Sequence, residues 1–145
     1  MIRLLAAFIR AHAAEIAIGF TIGLLAFAGA HAVEVAMWST WFGGAHAPWF
    51  LNSGQAVAFT MGCVGVASAV VATFNSSDLP VGGVAVGGVA VAAGAATAMT
   101  VVLMAGPGST IFPIALTIGC GLLLLSSATG AVVGWAIRRT VRFGR

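Results

Sequence analysis

Two histidine–glutamate pairs with identical spacing are the residues of this chain best suited to chemistry. Ala11-His12-Ala13-Ala14-Glu15 is echoed by Ala30-His31-Ala32-Val33-Glu34, with His and Glu three residues apart in each. On a helix that spacing puts both side chains on one face, within reach of each other. A proton relay or an ion site is what such pairs would form at the middle of a membrane, where ionisable residues are functional by default. Nineteen residues separate the pairs, about 28 Å of helix, or one bilayer thickness. One pair is therefore expected at each membrane surface. The apolar Val35, Ala36 and Met37 that follow Glu34 leave a second placement open for that pair, below its surface.

His46, further along the chain, can fold back toward His31 and Glu34. Two imidazoles and a carboxylate suit zinc, copper or iron as ligand types. Their spacing matches no metal signature, and no metal site is assigned. His31 alone has the character of an axial ligand for haem or a chlorophyll-type pigment. A two-haem bundle needs four histidines on facing helices, whereas one falls within the spans. Light-harvesting helices usually carry a small residue four before the ligand, and that position here is Phe27. The expectation is no cofactor, with metal, haem or pigment at His31 as the alternative. Cys63 and Cys120, each midway along an apolar run, read as small buried hydrophobes. The chain has no phosphate-cradling loop after a strand, no Ser/His/Asp arrangement and no paired carboxylates within a span, so no enzyme is expected.

The elements that must hold these residues follow from composition. Of 145 residues, 61% are hydrophobic and only 6% charged, with a mean hydropathy of +1.12. A water-soluble domain carries about 25% charged residues, so its surface would go uncovered here, whereas a lipid-facing surface needs no charge. A spanning helix requires about 20 apolar residues, and four such spans with connectors use nearly the whole sequence. A β-barrel would alternate polar and apolar residues, and these runs are unbroken. The expected fold is therefore an all-α membrane protein, a single four-transmembrane-helix bundle over residues 1–145. Its spans cover about 14–37, 55–74, 81–105 and 110–137. Arg3 and Arg10 precede an apolar run of full spanning length with no cleavage-like break, so the first helix is expected to stay in the protein.

Every basic residue is an arginine, and all lie near the two ends of the sequence: Arg3, Arg10, Arg138, Arg139, Arg142 and Arg145. The positive-inside bias puts both termini in the cytoplasm, in accord with an even number of spans. Arginine without lysine suggests a GC-rich bacterial genome, hence a bacterial cytoplasmic membrane. Arg138, Arg139, Arg142 and Arg145 suit anionic lipid headgroups and are too few for nucleic acid. On the outer side, residues 38–54 form the longest connector. Trp38, Trp41, Phe42, Trp49 and Phe50, without any charge, mark it as a membrane-hugging aromatic segment.

Within lipid, small residues four apart let helix backbones approach closely. Three G-x-x-x-G pairs occur: Gly19 and Gly23, Gly83 and Gly87, Gly130 and Gly134, with Gly65 and Ala69 as a further small pair. In the third run Val81-Gly82-Gly83-Val84-Ala85 repeats as Val86-Gly87-Gly88-Val89-Ala90. Small residues there cover most of the circumference, which predicts a central helix with neighbours on several sides. Hydroxyls at Thr21, Thr60, Ser68, Thr73, Thr97, Thr100, Thr117, Ser126, Ser127 and Thr129 can bond their own helix or a neighbour. The function expected is a non-catalytic accessory subunit of a larger membrane complex, respiratory, photosynthetic, transport or secretory, in contact with lipid and other membrane subunits as a homo- or hetero-oligomer. The alternatives are a small oligomeric transporter or channel using Glu34 and His31, and a metal-, haem- or pigment-binding protein using His31.

Overall fold

A computed structural model describes residues 2–41, 54–74, 84–105 and 112–143. Among the described residues every element is helical: α1 (Ile2–Ala11), α2 (Ala13–Trp41), α3 (Gly54–Phe74), a π-helical turn (Val84–Val89) leading directly into α4 (Ala90–Ala105), and α5 (Phe112–Phe143). Three stretches are long and apolar enough to cross a membrane: Ala13–Ala36, Val86–Ala105 and Leu116–Arg142. Ala58–Phe74 is a shorter apolar one.

Two helices run past the limits that hydropathy suggests. α2 continues to Trp41, four residues into the expected aromatic connector, and α5 continues to Phe143 rather than stopping near Ile137. Nothing in Trp38-Ser39-Thr40-Trp41 or Arg138–Arg142 interrupts a helix, and the next glycines come only at Gly43 and Gly144. The polar start is itself helical. Arg10 lies in the last turn of α1. Pro113 sits in the first turn of α5, where its missing N–H costs little. Thr110, residues 81–83 and the rest of the connector after Trp41 lie outside the described residues.

α2, α3 and α5 each bury one stripe. On α2 it is Gly19, Gly23, Phe27 and Ala30; on α3 it is Thr60, Val64, Ser68, Val71 and Ala72. On α5 the stripe comprises Leu123, Ser127, Gly130, Ala131 and Gly134. These steps of three and four residues are the helical repeat of an inward face. α4 differs: with Val89 just before it, its exposed residues Ala93, Thr97, Val101, Met104 and Ala105 form a single line, and almost everything else is covered. Of the span containing it, 56% is buried, against 22% for the spans of α2 and α5.

The closest packing joins α2 to α4 and α3 to α5. A Cβ at Gly23 would coincide with the Val91 carbonyl, and one at Gly94 with the Phe20 carbonyl. Likewise Gly130 meets the Gly65 carbonyl and Gly134 the Ala69 carbonyl. Residue numbers rise together from Gly65–Gly130 to Ala69–Gly134, and from Gly19–Val86 to Gly23–Val91, so both pairs are parallel. α2 and α3 are antiparallel, since Gly19 lies by Val71 while Glu34 bonds Thr60. α4 and α5 are antiparallel too: Gly88 lies by Ala131, and Gly119 by Met99. Helix direction therefore alternates along the chain, while the tightest pairs skip one helix.

Candidate functional site

The first His/Glu pair sits where α1 meets α2. His12 Nδ1 lies 2.8 Å from Glu15 Oε2, with about a quarter of each side chain exposed (26% and 27%). The backbone ladder bridges the join: the His12 amide donates to Phe8 O at 3.1 Å, and the Ile16 amide donates to His12 O at 2.9 Å. The Phe8 ring lies 4.6 Å from the imidazole, tilted by 46°. Held from both sides, His12 meets its carboxylate directly.

The second pair has the same spacing and a different geometry. His31 Nδ1 and Glu34 Oε2 are 4.0 Å apart, too far for a hydrogen bond. Glu34 is the next step of the inward stripe of α2 beyond Ala30, and its side chain is only 10% exposed. Its partner comes from another helix. The fully buried Thr60 donates its hydroxyl to Glu34 Oε1 at 2.6 Å. The other oxygen, Oε2, is buried without a hydrogen-bond partner among the described residues.

Thr60 stands apart from the other threonines. Thr21, Thr73, Thr97, Thr100, Thr117, Thr129 and Thr140 all donate to carbonyls three or four residues back in their own helices. This is the usual fate of a helix threonine. Among the described threonine side chains, Thr60 alone crosses to another helix, because α3 presents it on its buried stripe opposite a carboxylate.

A second polar cluster lies against the glycine-rich π-helical turn. Ser68 donates to the Ser127 carbonyl at 2.6 Å, and the Ser127 hydroxyl donates to Gly88 O at 2.6 Å. Its single proton is thereby used, so the 3.2 Å approach of the two hydroxyl oxygens is a neighbouring contact. Gly88 belongs to the π-helical turn, where the i→i+5 pattern disturbs the regular ladder of carbonyl acceptors. Ser127 supplies a donor to the carbonyl at that point. Ser126 likewise donates to Met61 O at 2.5 Å.

The residues singled out by sequence are thus distributed as follows. Gly19 and Gly23 face α4 and its π-turn, and Gly130 and Gly134 face α3. Gly87 has ordinary contacts only, its added Cβ meeting nothing closer than 3.6 Å. Gly83, His46 and Arg145 lie outside the described residues, so the trio of His31, Glu34 and His46 is not seen together. Arg138, Arg139 and Arg142 lie on the last turns of α5, with the Arg139 guanidinium 5.4 Å over the Trp135 ring. Cys63 and Cys120 are free and half-buried. Among the described residues no three of His, Cys, Asp and Glu gather as metal ligands do. Spacing alone pointed to neither Thr60, Gly94 nor the Ser127–Gly88 bond. Gly94 carried a weak signal, since Ala90 and Ala98 flank it four residues away on either side.

Fold and site together define an all-helical protein whose helices suit a membrane, with one buried carboxyl bonded between two of them. Compared with known protein families, curated proteins and solved structures, the chain shows no significant match.

Proposed function

We propose that the chain is a four-span integral membrane protein with both termini in the cytoplasm, serving as a non-catalytic subunit of a larger membrane assembly. The topology is supported by α3, whose 21 residues extend about 31 Å, enough to make the fourth span. It is further supported by alternating helix direction, which brings the arginine-bearing ends of α1 and α5 to one side. There Arg138, Arg139 and Arg142 suit anionic headgroups. The close approaches at Gly23, Gly94, Gly130 and Gly134 hold the bundle together in this reading.

One observation carries the subunit role. Gly29, Gly62 and Gly121 have nothing within 4 Å of where a Cβ would stand. Glycines facing outward give lipid little contact area, yet let another helix come close. The bundle thus retains places of close approach that its own helices do not fill. The test is purification from native membranes in mild detergent, with identification of what co-purifies. A stoichiometric membrane partner, lost on Gly62→Leu or Gly121→Leu while the bundle stays folded, is the expected result. A lone monomer from native membranes overturns the reading.

The burial of Glu34 favours a second reading, a small transporter with Glu34 and His31 as its coupling pair. Glu34→Gln separates the two: a subunit stays assembled, whereas proton-coupled transport in liposomes is abolished.

A further inference from the structure

We propose that the Glu34 carboxyl is a proton-binding site between α2 and α3, taking up and releasing a proton at the end of the bundle remote from the arginines. The inference goes beyond the subunit role and rests only on the membrane reading of the helices. Three observations carry it. Glu34 Oε1 is held by the Thr60 hydroxyl at 2.6 Å, which fixes the carboxyl plane. Oε2 is buried and meets no donor among the described residues. Thr60 forgoes the own-helix bond that Thr21, Thr73, Thr97, Thr100, Thr117, Thr129 and Thr140 make, so the carboxyl is positioned by a side chain committed to it.

A carboxylate buried away from water needs a donor on each oxygen or a positive partner. Thr60 answers for Oε1, and its only proton is used there. The groups facing Glu34 leave Oε2 to a proton. On its own helix, His31 Nδ1 stands 4.0 Å away. α3 contributes Thr60 and, one turn on, the half-buried thiol of Cys63. α4 has no titratable residue over Ala90–Ala105, and α5 brings only Cys120, its arginines lying at the opposite end. A metal ion would need several oxygen or nitrogen ligands, whereas a proton needs one base. His31, 4.0 Å from Glu34 Oε2, is the more exposed of the two side chains, at 24% against 10% for Glu34.

The experiment treats the intact protein in its membrane with dicyclohexylcarbodiimide, an apolar reagent that attacks carboxyls in their acid form. The O–H adds across one C=N bond, its proton passing to nitrogen, and rearrangement leaves a stable N-acylurea with no leaving group. Mass spectrometry then locates the label. Stoichiometric labelling on Glu34, with Glu15 unlabelled, is expected, the rate falling several-fold as pH is raised from about 6 to about 9. Glu34→Gln removes the label, and Thr60→Val keeps it but changes the pH at which the rate falls. Infrared difference spectra between the two pH values show a carboxylic C=O band that Glu34→Gln abolishes. A folded, membrane-retained protein that is unlabelled at Glu34, or labelled at a rate indifferent to pH, overturns the proposal. Release of the chain from membranes by an alkaline wash would instead sink the membrane reading itself, so the two failures are distinguishable.

Discussion

His12/Glu15 and His31/Glu34 have the same three-residue spacing on neighbouring turns, yet one closes to 2.8 Å and the other stays at 4.0 Å. The difference arises from what surrounds them. The first pair lies at the junction of α1 and α2 with about a quarter of each side chain exposed, and there the carboxylate closes on its own imidazole. The second lies on the inward stripe of α2, where α3 presents Thr60 and turns the carboxyl away from its own histidine. A helical spacing thus defines which groups can meet, and the neighbouring helix decides whether they do. Burial converts the same pair from a solvated contact into an inter-helix bond with one oxygen left over.

If the bundle makes the second pair different, loosening the bundle should erase the difference, and the largest effect is expected where backbones touch. Gly94→Leu forces a side chain into the Phe20 carbonyl, which no rotamer relieves. A loss of about 3 kcal/mol or more is expected, read from unfolding in mild detergent. In the same variant Glu34 should become as reactive as Glu15 toward a water-soluble carbodiimide. A protected Glu34 in a destabilised Gly94→Leu protein would break the comparison.

Ser127→Ala comes next. It removes the donor to Gly88 O at the π-turn, in a fully buried place, at a cost of about 1.5 kcal/mol, the upper range for bonds between membrane helices. Because Ser68 stands two turns, about 12 Å, from Thr60 along α3, Glu34 should keep its protection, which sharpens the contrast between local and global loosening.

Much of this was legible in the sequence, and the boundary of legibility has physical causes. The apolar runs mark where lipid can lie, because hydropathy measures solvent preference. They do not mark where a hydrogen-bonded ladder stops, which is why α2 reaches Trp41 and α5 reaches Phe143. A single chain also cannot reveal that α2 pairs with α4 and α3 with α5, since small residues recur on every helix and any two could pack. The reciprocal approach of Gly23 and Gly94 appears only once the register is known. The His31/Glu34 spacing was visible, but Thr60 was not, because a helix threonine normally bonds its own backbone. The rule that hides it is the one its exception makes informative.

Thr60→Val tests that exception. Valine keeps the shape and removes the donor to Glu34 Oε1, so a cost of about 1 kcal/mol is expected. The matching change at the first pair, His12→Ala, should cost about 0.5 kcal/mol or less, because a partly exposed pair is screened by water and salt. The two variants should also differ in kind. Added salt should erase the His12→Ala effect, since screening acts on charges that water reaches, and should leave the Thr60→Val effect unchanged. The measurement is the unfolding midpoint in detergent at low and high salt for both proteins. Equal salt sensitivity would mean that Glu34 is as hydrated as Glu15, and the two pairs would then differ in distance but not in environment.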